Sequence, residues 1–217
     1  MTSKRLVPPN PMRRPHKNRQ RKKRFLLYCE GEVTEPEYFR DLKRFLRNPL
    51  VEIEIGEGKR NDPKGLVELA KARRDSARRD AKREKDDSLL YDEVWCVFDV
   101  DDHANLREAI QQASAVSIHV AVSNPRFELW ILIHFRDQWA YIDGAQSESD
   151  VRQFISDYEK RIDFSKIKNK GHEAIERARK MDLRAKENGD AIGNPTSGVW
   201  RLVTSMCREA NFPTDKV

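Results

Sequence analysis

Val94-Trp95-Cys96-Val97-Phe98 runs directly into Asp99-Val100-Asp101-Asp102-His103. A short apolar run bounded by turn-forming acids reads as a strand buried on both faces of a sheet. Working outward, the same pattern appears at Phe25-Leu26-Leu27-Tyr28-Cys29, which ends in Glu30-Gly31. Thr34-Glu35-Pro36-Glu37 then opens a helix, with Thr34 as N-cap and Glu37 completing a capping box. Tyr38, Leu42, Phe45 and Leu46 form its apolar face to about Arg47. Leu50 to Ile55 alternates as a strand, a loop follows through Pro63, and a second helix starts near Lys64. A helix over 105–115, a strand over 117–122 and a helix from Pro125 complete a β-α-β-α-β-α-β-α order. That order implies an α/β fold with a mostly parallel sheet flanked by helices. Helices over 149–161, 171–187 and 199–209 make the remainder helical. The expected division is a basic disordered arm (1–23), an α/β core (24–140) and a helical extension packed on it (141–217).

The charge is unevenly placed. Residues 1–24 hold ten of the 42 basic side chains and none of the 36 acids, so the rest carries 32 basic against 36 acidic. Arg13, Arg14, Lys17, Arg19, Arg21, Lys22 and Lys23 belong to this arm, which also contains Pro8, Pro9, Pro11 and Pro15. Such a composition buries too little apolar surface to order itself. It suits contact with nucleic-acid phosphates, or it serves only as a solubilising tail or docks on the chain's own acidic body. The stretch 71–87 mixes eight basic with five acidic residues and reads as a solvated helix laced by charge pairs, with a phosphate-facing ridge as the alternative. No run approaches the roughly 18 apolar residues of a membrane span, and no apolar segment follows the basic start as in a secretory signal. Three scattered cysteines, Cys29, Cys96 and Cys207, form no disulfide framework or zinc pattern, and a reducing cytoplasm is the expected compartment. Two of them sit in apolar runs as buried thiols.

The chemistry lies at the strand ends. In open α/β sheets ligands bind beyond the carboxyl ends of the strands. Asp99 and Asp101 point the same way in extended chain, and Glu30 arrives from another strand. Three carboxylates suit a hard cation, Mg²⁺ or Mn²⁺. The competing reading is that acids here are ordinary turn and cap residues. Glu128, in the first turn of the helix after the fourth strand, is a further candidate ligand. Glu35 is accounted for by the helix dipole alone. His134 reads as a core histidine, and Trp95, Trp130 and Trp200 as core. Tyr158 and Lys160 are candidates to face nucleic acid. No P-loop, GxSxG or HExxH motif is present.

Tyr28-Cys29-Glu30-Gly31-Glu32-Val33-Thr34-Glu35-Pro36-Glu37-Tyr38-Phe39 resembles the opening motif of the RloB family, EGxTEpxYF. Asp92 to His103 resembles its second block. Ser123-Asn124-Pro125-Arg126-Phe127-Glu128-Leu129-Trp130 with His134-Phe135 resembles its third, and Asn194 to Val203 its last. The RloB family is similar to Toprim-type proteins. The resemblance implies a Rossmann-like sheet, with Glu30 as general acid or base and metal ligand, Asp99 and Asp101 as catalytic Mg²⁺ ligands, and Asp102 nearby. It also implies phosphodiester cleavage in tRNA, other RNA or DNA, a role in abortive infection against phage, and a partner ATPase. The run DVDDH departs from a simple DxD. Asp102 either shares the metal or caps the next helix, and His103 either touches a phosphate or simply starts that helix. Two other functions stay open: a haloacid dehalogenase-like phosphatase, with Asp99 as nucleophile, and a non-catalytic nucleic-acid-binding or regulatory subunit. Homo-oligomerisation is compatible with all three. An unrestrained nuclease would be toxic, so low basal activity or restraint by a partner is expected.

Overall fold

The computed structural model describes residues 21–56, 62–100 and 105–217. The elements are β1 (Lys23–Cys29), α1 (Thr34–Leu46), β2 (Val51–Ile55), α2 (Pro63–Glu84), β3 (Glu93–Asp99) and α3 (Leu106–Ala115). They continue with β4 (His119–Asn124), α4 (Phe127–Leu132), α5 (Gly144–Phe154), α6 (Gly171–Glu187), β5 (Thr196–Ser197) and α7 (Val199–Glu209). The sheet order is β2-β1-β3-β4-β5. The first four strands are parallel, and β5 pairs antiparallel with β4 at the edge. This is the mixed α/β, mostly parallel architecture that the strand–helix alternation implies.

The two faces of the sheet follow the strand period of two. Phe25, Leu27, Trp95 and Val97 join one core with residues of α1, α4, α6 and α7. Leu26, Tyr28, Val94, Cys96 and Phe98 join the other with Leu66, Val67 and Ala70 of α2 and Leu106 and Ala113 of α3. Asp99 continues the parity of Trp95 and Val97. It therefore leaves β3 toward the face on which α1 and α4 begin.

Several expectations need correction. Thr34 is not the N-cap of α1: Val33 holds that position, no side chain caps the helix, and no capping box forms. The Thr34 hydroxyl instead donates to the Lys160 carbonyl at 2.8 Å. The helix expected over 149–161 is α5, which begins five residues earlier and ends at Phe154. Its start is set by Asp143, whose carboxylate accepts the Gln146 N–H at 2.8 Å. The helix after β4 begins at Phe127 rather than Pro125, because Arg126 is still extended. Strand β5 was not expected, because two residues carry no periodicity.

Cys96 and Cys207 are buried, whereas Cys29 is half-buried. Trp95 and Trp130 are buried as expected, while Trp200 lies only partly covered at the rim. On α2, Arg78 pairs with Asp75 and Arg83 with Asp80 at i,i+3 spacing, as the charge-pair reading requires. Among the described residues no helix is long and apolar enough to cross a membrane.

Candidate functional site

β1 and β3 are hydrogen-bonded neighbours with Cys29 opposite Val97, so both strands end side by side. The Glu30 N–H donates to the Val97 carbonyl at 3.0 Å, extending the ladder by one residue. The Glu30 side chain then turns across, and its Oε2 accepts the backbone N–H of Asp99 at 3.0 Å. Two carboxylates read from separate motifs are thus brought together by the sheet itself.

They line a cleft of about 420 Å³ with Gly31, Thr34, Glu35, Arg126, Glu128 and Lys160 among the other walls. Two features of α1 shape it. Glu35 is 3% exposed and accepts the Gly31 N–H through Oε1 at 3.2 Å. A β-carbon at Gly31 would meet the Glu35 carboxylate, so a larger residue there requires that side chain to shift. Burial, and then repulsion from Glu128 and Glu30, raise the Glu35 carboxyl above its ordinary value despite backbone hydrogen bonds that favour the charge. Glu35 is therefore a cleft residue that the helix-dipole reading overlooked; its place in the first turn of the helix that follows Glu30 was the available signal.

Glu128 is also 3% exposed. Its Oε1 accepts the Tyr158 hydroxyl at 2.8 Å and the Lys160 ammonium at 2.6 Å. The same ammonium reaches Glu148 Oε2 on α5 at 2.8 Å. Burial, and then the neighbouring Glu128, push the Tyr158 phenol well above its usual range. Lys160 has φ +66, a left-handed backbone unusual for a lysine. Among the described residues no three His, Cys, Asp or Glu side chains form a group able to hold a metal ion. Asp101, Asp102 and His103 lie outside the described residues.

The basic arm lies outside them from residue 1 to 20. Of its described members, Arg21 and Lys23 each pair with Asp92 at 3.5 Å, and Lys23 also reaches Glu209 at 3.7 Å. Lys22 pairs with Glu52 at 3.6 Å. His134 is a core histidine as expected: it is 4% exposed, its Nδ1 lies 2.8 Å from the Trp130 carbonyl, and burial lowers its pKa to about 4.

The sheet is mostly parallel with helices on both faces, and it carries Glu30 and Asp99 at its carboxyl edge, where ligands bind in open α/β sheets. The chain belongs to the RloB-like protein family, whose model matches residues 25–206, from within β1 to within α7. No curated protein and no solved structure matches it significantly.

Proposed function

We propose that the protein is a Toprim-type, metal-dependent nuclease that cleaves phosphodiester bonds in RNA or DNA, acting in defence against phage under restraint by a partner ATPase. The observation that carries this reading is the contact of Glu30 with the Asp99 backbone, which sets two acids at the mouth of one cleft. Glu30 and Asp99, with Asp101 and Asp102, offer the hard oxygen donors that Mg²⁺ or Mn²⁺ requires. When bound there, such an ion supplies Lewis-acid polarisation of a phosphoryl oxygen. The Asp99 amide holds the Glu30 carboxylate beside it, which supports a role for Glu30 in taking or returning a proton. Arg126 sits in the same lining and offers a positive group to the phosphate. The basic N-terminal residues add sequence-independent attraction for the polyanion.

The test is cleavage of a mixed tRNA pool and of supercoiled plasmid with Mg²⁺ or Mn²⁺ against EDTA. Wild type is compared with Glu30→Ala and with Asp99→Ala/Asp101→Ala. Metal-dependent cleavage lost in both variants upholds the reading and identifies the substrate class. Binding without cleavage, by the pure chain and with its partner ATPase, points instead to a regulatory subunit. A trapped phospho-Asp99 points to a phosphatase, in which Glu30 has no role.

A further inference from the structure

Six residues past the end of α5, the chain crosses back over the cleft wall that carries Glu128. The crossing is fixed at three points. Tyr158 is 1% exposed with its hydroxyl on Glu128. The Lys160 carbonyl accepts the Thr34 hydroxyl from the first turn of α1. The Lys160 ammonium lies between Glu128 and Glu148 at 2.6 and 2.8 Å. Lys160 takes a left-handed backbone conformation that lysine rarely adopts, and the three contacts offset that cost. An ammonium between two carboxylates fills the role that a small cation fills between oxygen ligands. Glu128 belongs to no three-membered ligand group among the described residues. Glu128 is buried, and a buried carboxylate is favoured by a positive partner beside it.

We infer that Lys160 is the cleft's resident cation: its ammonium occupies the position at Glu128, so that exchangeable divalent ions are confined to the Glu30–Asp99 side. This deepens the nuclease reading and rests on it for the meaning of the metal side. It reassigns Glu128 from candidate ligand to counter-ion, and Lys160 from nucleic-acid contact to positioning residue. The electrostatics agree. Burial draws the Lys160 ammonium down, but its hydrogen bonds to Glu128 and Glu148 outweigh this and raise it above the ordinary lysine value. The hydrogen bond from Lys160 in turn lowers Glu148.

Removing the ammonium leaves Glu128 and Glu148 facing one another as like charges, which is a vacant divalent-ion site. The experiment is Mn²⁺ titration of the purified full chain, read by electron paramagnetic resonance of free Mn²⁺, with no nucleic acid present. Lys160→Met is expected to bind about one more Mn²⁺ per chain than wild type, and Lys160→Arg the wild-type number. Glu128→Gln is expected to leave both the number and the affinity of wild-type sites unchanged. An unaltered Mn²⁺ count in folded Lys160→Met overturns the inference, as does a wild-type site lost or weakened in Glu128→Gln. The second variant keeps the test decisive if the first does not fold. Wild type that binds no Mn²⁺ while Lys160→Met gains a site would remove the metal from the nuclease reading and still uphold the role of Lys160.

Discussion

The two walls of the cleft present the same residue type in opposite ways. On one wall Glu30 and Asp99 are joined through the main chain: an amide of β3 holds a carboxylate from the end of β1. On the other, Glu128 is held by side chains, a phenol and an ammonium contributed from 30 and 32 residues downstream. The Glu30 carboxylate, held on the β3 amide, lines the cleft beside Asp99. A carboxylate held by an ammonium has its charge cancelled on the spot. Position at the carboxyl edge of a sheet therefore does not by itself make an acid reactive; the partner that satisfies it decides what remains for a ligand.

The largest expected effect breaks the first wall. Glu30→Ala should lower metal-dependent cleavage about a thousandfold, the several kcal/mol that ligand and proton-transfer groups supply. Its unfolding midpoint should stay close to wild type, because Glu30 sits at a strand end. A variant that retains activity would remove the first wall from the chemistry.

The next effect concerns the footing of the second wall. His134 follows α4 and is buried neutral, with its pKa lowered to about 4. The unfolded chain, with histidine near its ordinary value, binds the proton first. Stability is thus present above about pH 6.5 and is lost as pH falls toward 4, by at most about 3 kcal/mol. Urea unfolding of wild type and His134→Gln across that range should show a flatter profile for the variant. Parallel profiles would mean that the imidazole is not held neutral.

Breaking the clamp itself should cost less. Glu128→Ala leaves the Tyr158 hydroxyl without its acceptor and the Lys160 ammonium with Glu148 alone. A fully buried pair broken on one side costs about 3–5 kcal/mol. The Lys160 side chain is 44% exposed, and solvent screening reduces the expectation to about 2 kcal/mol, measurable as a shift in urea midpoint. The smallest effect sharpens the comparison at its hinge. Thr34→Val removes the hydrogen bond to the Lys160 carbonyl and should cost about 1 kcal/mol, with cleavage reduced less than in any change at Glu30. A Thr34→Val chain as impaired as Glu30→Ala would show that the two walls work as one unit.

The sequence was legible where periodicity and local chemistry agree. The parallel strands, the pairing of the Glu30 and Asp99 motifs and the extent of α6 and α7 all follow from apolar runs with clear boundaries. It was misleading where a local rule had a tertiary competitor. Thr34 fits a helix cap by sequence, yet its hydroxyl serves a carbonyl 126 residues away. The helix expected from about 149 starts at Gly144, because Asp143 caps it, and the apolar Val151 packs it into the core. That shift moved Tyr158 and Lys160 out of an expected helix and into the crossing segment. Their contact with Glu128 depends on the return of a distant loop, which no spacing in the chain encodes. The ligand role expected of Asp101 and Asp102 lies outside the described residues.

Strand β5 has only two residues, yet it closes the β4 edge with chain from the far side of the molecule. Gly198, just beyond it, donates to the Val122 carbonyl at 2.7 Å, and α7 then lays Val199, Leu202, Val203 and Met206 into the core that holds Phe25 and Val97. Early and late parts of the chain therefore share one cooperative unit rather than two. Native-state hydrogen exchange should reflect this: the amides of α7 and those of β3 should open at the same free energy, in one global event.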